Sequence, residues 1–213
     1  MQKDLRHDRM FIFLAVMSIV TTMGFQVWRT LFNNFAVDVV GLGGNHIGMI
    51  QSVREIPGFL ALLVVFVTLV IKEHRLSALS VAMLGLGISF TGVFPSYTGL
   101  IFTTLLMSFG FHYFETTNQS LTLQYFDKTT SPLVMGKLRS YSAASAIVIG
   151  AVLLVVTSIF SYELLFGILG ALIIGAGIWG MFQNPTRDDL VPQQKKMILR
   201  KRYSLYYFLT FMA

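Results

Sequence analysis

The chain has 213 residues, of which 54% are hydrophobic and only 12% charged, with a formal net charge of +6 and a mean hydropathy of +0.69. A soluble domain carries about 25% charged residues, and its helices show narrow apolar stripes between charged faces; this composition argues against a soluble fold. The absence of cysteine excludes disulfides, cysteine-ligated zinc and a cysteine nucleophile.

The first apolar run covers residues 10–34. Lys3, Arg6 and Arg9 precede it as in a signal peptide, but it is long, has no A-x-A pattern and leads into further runs, so it reads as a retained helix. Ser18, Thr22, Gln26, Arg29 and Asn33 follow each other by steps of 4, 4, 3 and 4, which is one helical face. The second run, 46–71, contains Gln51, Arg54, Glu55, Pro57 and Gly58. Arg54 and Glu55 are adjacent, so they are expected to point about 100° apart and to need a partner on another helix. Pro57 removes the hydrogen bond to the Val53 carbonyl and is the expected hinge.

The third run, 76–94, and the sixth, 162–182, are rich in glycine (Gly85, Gly87, Gly92; Gly167, Gly170, Gly175, Gly177, Gly180). Small residues let helices approach closely in lipid, so these runs are expected to pack rather than bind. The fourth run, 98–124, repeats the polar steps of the first with Thr104, Ser108, His112, Glu115 and Gln119, and adds Asn118 and Gln124 near its end. The fifth run is 138–160. Residues 183–202 read as a polar, basic linker, and a seventh run opens at Tyr203 and is cut at Ala213, as expected of a larger protein.

The connections alternate in charge. Lys3, Arg6 and Arg9 precede the first span. Lys72 and Arg75 follow the second. Lys128, Lys137 and Arg139 follow the fourth, and Arg187, Lys195, Lys196, Arg200, Lys201 and Arg202 follow the sixth. The loops on the other side hold no lysine or arginine. The positive-inside rule then places these residues and the N-terminus in the cytoplasm and supports six spans. The basic run near Lys195–Arg202 fits anionic headgroups, with no nucleic-acid role.

A charge at the bilayer centre costs about 2.5–3.5 kcal/mol. The charged members of the first, second and fourth spans must therefore face a bundle interior or a wet cavity. The candidate cavity residues are Gln26, Arg29, Asn33, Gln51, Arg54, Glu55, His112, Glu115 and Gln119, each with a structural alternative as an inter-helix contact. Glu115, His112 and Glu55 are the candidates for carrying a coupling ion, His112 because an ordinary imidazole exchanges protons near neutrality. No P-loop and no H-E-x-x-H occurs, and His112 with Glu115 makes too few ligands for a metal site. No cofactor is implied.

Because the first and fourth spans run in opposite directions, Arg29 and Glu115 fall at mirrored depths, as in an inverted three-plus-three repeat. With the even span count, the basic central loop, the polar first and fourth spans and the run Met135-Gly-Lys-Leu-Arg-Ser140, the chain resembles the major facilitator superfamily of secondary transporters, as its N-terminal six-helix half. Lys72-Glu-His-Arg-Leu-Ser77 keeps the basic character of that family's second-to-third loop but not its glycines or aspartate. The fifth run lacks the G-x-x-x-G-P-x-x-G-G pattern of drug–proton antiporters.

The resemblance implies an all-α domain over 1–182, a linker over 183–202 and the start of a seventh helix over 203–213. It further implies a multi-pass protein of the plasma or inner membrane, a missing C-terminal half, and a small solute moved by alternating access with ion or proton coupling rather than an enzyme. The alternatives are a membrane scaffold or sensor, and a six-helix intramembrane enzyme using His112 and Glu115.

Overall fold

The structure, a computed structural model, describes residues 5–187, 200–205 and 208, with Arg6 by its backbone alone. Six long helical segments follow one another: α1 (Arg9–Asp38), α2 (Gly44–Thr68), α3 (Glu73–Val93), α4 (Tyr97–Tyr125), α5 (Ser131–Val156) and α6 (Tyr162–Phe182). The expected linker and seventh run fall largely outside the described residues. α1, α2, α3, α5 and α6 are each long and apolar enough to cross a membrane. α4 has the length, 29 residues, but its polar side chains from His112 onward take it below that apolarity.

Local chemistry sets the helix ends. The Asp8 carboxylate accepts from the Met10 and Phe11 amides at 3.0 and 3.1 Å, capping α1. α1 runs four residues past its expected end, to Asp38. There Gly41, at φ +74°, reverses the chain and the Leu42 amide donates back to the Ala36 carbonyl at 2.8 Å. Ser96 caps α4 by accepting from the Gly99 amide at 3.1 Å.

α5 starts seven residues earlier than its apolar run. Asp127 accepts from the Thr129 and Thr130 amides at 2.9 and 2.7 Å and from the Thr129 hydroxyl at 2.6 Å, and Pro132 sits in the first turn. Those bonds hold the exposed Asp127 carboxylate low, at about 2. Lys137 and Arg139 therefore lie within α5 and not in a loop.

α2 is not one regular helix. An α-helix ends at Arg54, Glu55 is a turn, and short pieces follow at Ile56–Phe59, Leu60–Leu63 (3-10) and Val64–Thr68. Pro57, buried, lies at the break.

α3 is the most enclosed helix, packed between α6 and α4. Glycine makes this possible. A Cβ on Gly85 would stand 2.8 Å from the Ile174 nitrogen and 2.9 Å from the Gly170 oxygen, and one on Gly177 would stand 2.6 Å from the Ala82 nitrogen. Gly167 and Gly175, by contrast, face open space. α1 packs on α5, α6, α3 and α4, and α2 packs on α4.

Trp28, Phe32 and Phe35 of α1 are fully buried: the Trp28 and Phe32 rings stack 4.4 Å apart, and the Phe35 ring meets that of Phe166 of α6 at 5.3 Å. One end of the bundle gathers Asp8, Lys72, Arg75, Lys128 and Arg187, where Arg187 reaches Asp8 at 3.7 Å and the Tyr125 carbonyl at 2.9 Å. The opposite end carries Asp38, Glu163 and the His46–Tyr97 ring contact at 4.9 Å. We call the first the basic end.

Candidate functional site

A cavity of about 490 Å³ opens between α1, α4 and α5. Ser18, Thr22 and Phe25 line it from α1, Phe111, Phe114, Glu115, Asn118, Gln119 and Thr122 from α4, and Met135, Leu138, Arg139 and Ser142 from α5. With a rise of about 1.5 Å per residue, Ser18, Arg139 and Glu115 each lie roughly 12–15 Å inside the basic end of their helices, so they share one depth. α5 is held to α1 there by the Ser142 and Ser145 hydroxyls, which donate to the Ser18 and Ile19 carbonyls at 3.4 Å.

Glu115 and Arg139 are both exposed to this space. They sit within Coulombic reach of each other, yet no ion pair joins them. The Ser18 hydroxyl, on a residue only 3% exposed, and the Asn118 carbonyl oxygen have no hydrogen-bond partner among the described residues. The cavity thus offers one anion, one cation, the polar side chains of Thr22, Gln119 and Ser142, and an apolar wall.

A second polar node lies nearer the opposite end. The Arg54 guanidinium stands 5.6 Å from the Trp28 ring and 5.9 Å from the Phe25 ring. Its Nε donates to Glu55 at 3.0 Å, and its carbonyl accepts from the Ser108 hydroxyl at 2.5 Å. This corrects the expectation that Arg54 and Glu55 do not meet. The 100° separation belongs to a regular helix. Here the helix ends at Arg54 and Glu55 occupies a turn, so two long side chains reach each other. His112 is half-buried beside this node: a Cβ on Gly58 would touch its ring at 3.1 Å, and its ring centre is 5.4 Å from that of Phe111.

Of the nine cavity candidates, Glu115 and Gln119 line the cavity. Arg54, Glu55 and His112 form the second node. Gln51 donates to Asn33 at 3.5 Å and Gln26 to Thr30 at 3.1 Å. Arg29 is exposed, with no side-chain hydrogen bond or ion pair among the described residues. Sequence reasoning missed Arg139, which it assigned to a loop; the Ser131-Pro132 start signal would have placed it on α5. It also passed over the aromatic wall of Phe25, Phe111 and Phe114. Among the described residues, no cluster of three or more histidine, cysteine or acidic side chains is placed to hold a metal ion. No protein-family model matches the chain, and no curated protein matches it.

Proposed function

We propose that this chain is the solute-binding six-helix domain of a secondary active transporter of the major facilitator type, moving a small solute by alternating access with ion or proton coupling. The observation that carries the reading is the cavity itself: an open space, walled by helices of a multi-pass bundle, into which Glu115 and Arg139 project without a mutual ion pair. Charges at this depth are costly unless they meet water, a partner or a solute.

The neighbour pattern supports an inverted repeat. Exchanging α1 with α4, α2 with α5 and α3 with α6 turns the α1–α5 contact into α4–α2, turns α1–α6 into α4–α3, and leaves α3–α6 and α1–α4 in place. The α1–α3 contact has no α4–α6 counterpart of similar extent. In this reading all six helices span a plasma or inner membrane, the basic end is cytoplasmic, and the exposed Arg29 and Asn33 of α1 face a second six-helix half. Glu115 carries the coupling charge, and the break at Pro57 lets the outer part of α2 move against α4.

The test is reconstitution of the full-length protein in proteoliposomes and measurement of solute flux with and without an imposed pH or sodium gradient. Gradient-driven flux that Glu115→Gln uncouples supports the reading. Undiminished, gradient-dependent flux in Glu115→Gln at every pH removes the coupling role, and the absence of any solute flux removes the transporter.

A further inference from the structure

The two polar nodes are related by position. Phe25 and Phe111 are 86 residues apart, as are Trp28 and Phe114, while Arg54 and Arg139 are 85 apart. The first node puts Arg54 over Phe25 and Trp28; the second puts Arg139 in the cavity walled by Phe111 and Phe114. Each arginine belongs to the helix that packs beside the other repeat's polar helix.

The nodes differ in one respect. In the first, the residue after the arginine is Glu55, and the pair closes on itself. In the second, the residue after Arg139 is Ser140, so no carboxylate is supplied from its own helix. The carboxylate of the second node is Glu115, on another helix and on the other side of an open space. At the position 86 residues before Glu115, the first repeat has Arg29.

We propose, building on the transporter reading, that this cavity takes a zwitterionic solute of amino-acid type, its carboxylate on Arg139, its ammonium on Glu115 and its apolar part against Phe25, Phe111 and Phe114. A planar guanidinium recognises a carboxylate through paired hydrogen bonds, and a carboxylate accepts all that an ammonium donates. A zwitterion satisfies both charges at once. A simple anion is drawn to Arg139 and repelled by Glu115, and a simple cation meets the reverse.

Ser18, more than nine-tenths buried, and Asn118 belong to the wall of the same cavity, and each carries a buried side-chain oxygen with no hydrogen-bond partner among the described residues. The volume falls within the ~300–1,000 Å³ of small-molecule sites.

The experiment is calorimetric titration of the full-length protein in nanodiscs with three matched probes: leucine, N-acetylleucine, which keeps only the carboxylate, and leucine methyl ester, which keeps only the ammonium. Leucine is expected to bind at least tenfold tighter than either analogue. In Glu115→Gln the order is expected to invert in favour of N-acetylleucine, in Arg139→Gln in favour of the methyl ester, and Arg139→Lys is expected to keep the wild-type order. A variant that merely unfolds weakens all three alike, and the lysine variant then decides.

Equal binding of leucine and N-acetylleucine by the wild type, or binding of none of the three, overturns the proposal. Flux of a singly charged solute that persists in both glutamine variants removes the zwitterion and leaves the transporter standing.

Discussion

Glu115 of α4 and Arg139 of α5 face the same cavity with opposite charges and form no ion pair. Neither makes a side-chain hydrogen bond among the described residues, so no polar contact there depends on either. Glu115→Gln and Arg139→Gln are therefore expected to unfold within a few tenths of a kcal/mol of the wild type, as surface substitutions do, while lowering solute flux at least tenfold. Thermal melts run beside flux assays check this; a large loss of stability in either variant contradicts it.

Arg54 is expected to behave in the opposite way. It is held against the Phe25 and Trp28 rings, contacts of about 0.5–1 kcal/mol each. Its part-exposed ion pair with Glu55 adds little once solvent screening is counted. Arg54→Ala is expected to destabilise the protein by about 1–2 kcal/mol. Arg54→Ala as stable as Arg139→Gln would show that the aromatic contacts do not hold it.

Among the glycines of α3 and α6, some are packed between the two helices and others face open space. Gly85 has backbone of α6 within 3 Å of any Cβ, whereas Gly175 has nothing within 4 Å. Gly85→Val is expected to cost about 1–3 kcal/mol or more through forced separation of the helices, and Gly175→Ala to be neutral. Melting temperatures of the two variants in one detergent decide the matter.

Asp127 lies outside the spans and titrates at about 2 because the Thr129 hydroxyl and the Thr129 and Thr130 amides bond its charged form. A depressed carboxyl contributes stability that is present above the ordinary aspartate value of about 3.9 and is lost as pH falls through the lower one. The 127–130 turn is thus expected to hold from neutral pH to about 4 and to loosen toward 2. The Asp127 carboxyl shift in NMR reports it directly, and titration near 4 would contradict the bonding.

The helices were largely legible in the sequence because length and apolarity follow from the thickness of a bilayer. The sixth run was read as 162–182, the bounds of α6. The start of α5 was not, because hydropathy reports the solvent around a segment and not its conformation: Ser131, Pro132, Gly136 and Lys137 interrupt the apolar run, and the segment is nonetheless helical. The polar steps of α1 and α4 led to Ser18, Thr22, Glu115 and Gln119, which line the cavity. They also included Thr104 and Ser108, which are fully buried, and Arg29 and Asn33, which open outward. Spacing fixes a face, but only the neighbouring helix decides what that face meets. The Arg54–Glu55 contact escaped the sequence because it depends on where a helix breaks.

The central claim is a cavity that opens alternately to the two sides of a membrane. The 213 residues hold no cysteine, so Ser142→Cys, placed in a full-length protein with any cysteine outside them replaced, introduces a single thiol at the cavity wall. Its labelling by a membrane-impermeant maleimide can be followed from each side of oriented vesicles. The account predicts labelling from the basic end at rest, with reactivity appearing on the opposite side once a transported solute is added. A thiol that reacts from one side alone, unchanged by every solute that binds, would contradict it.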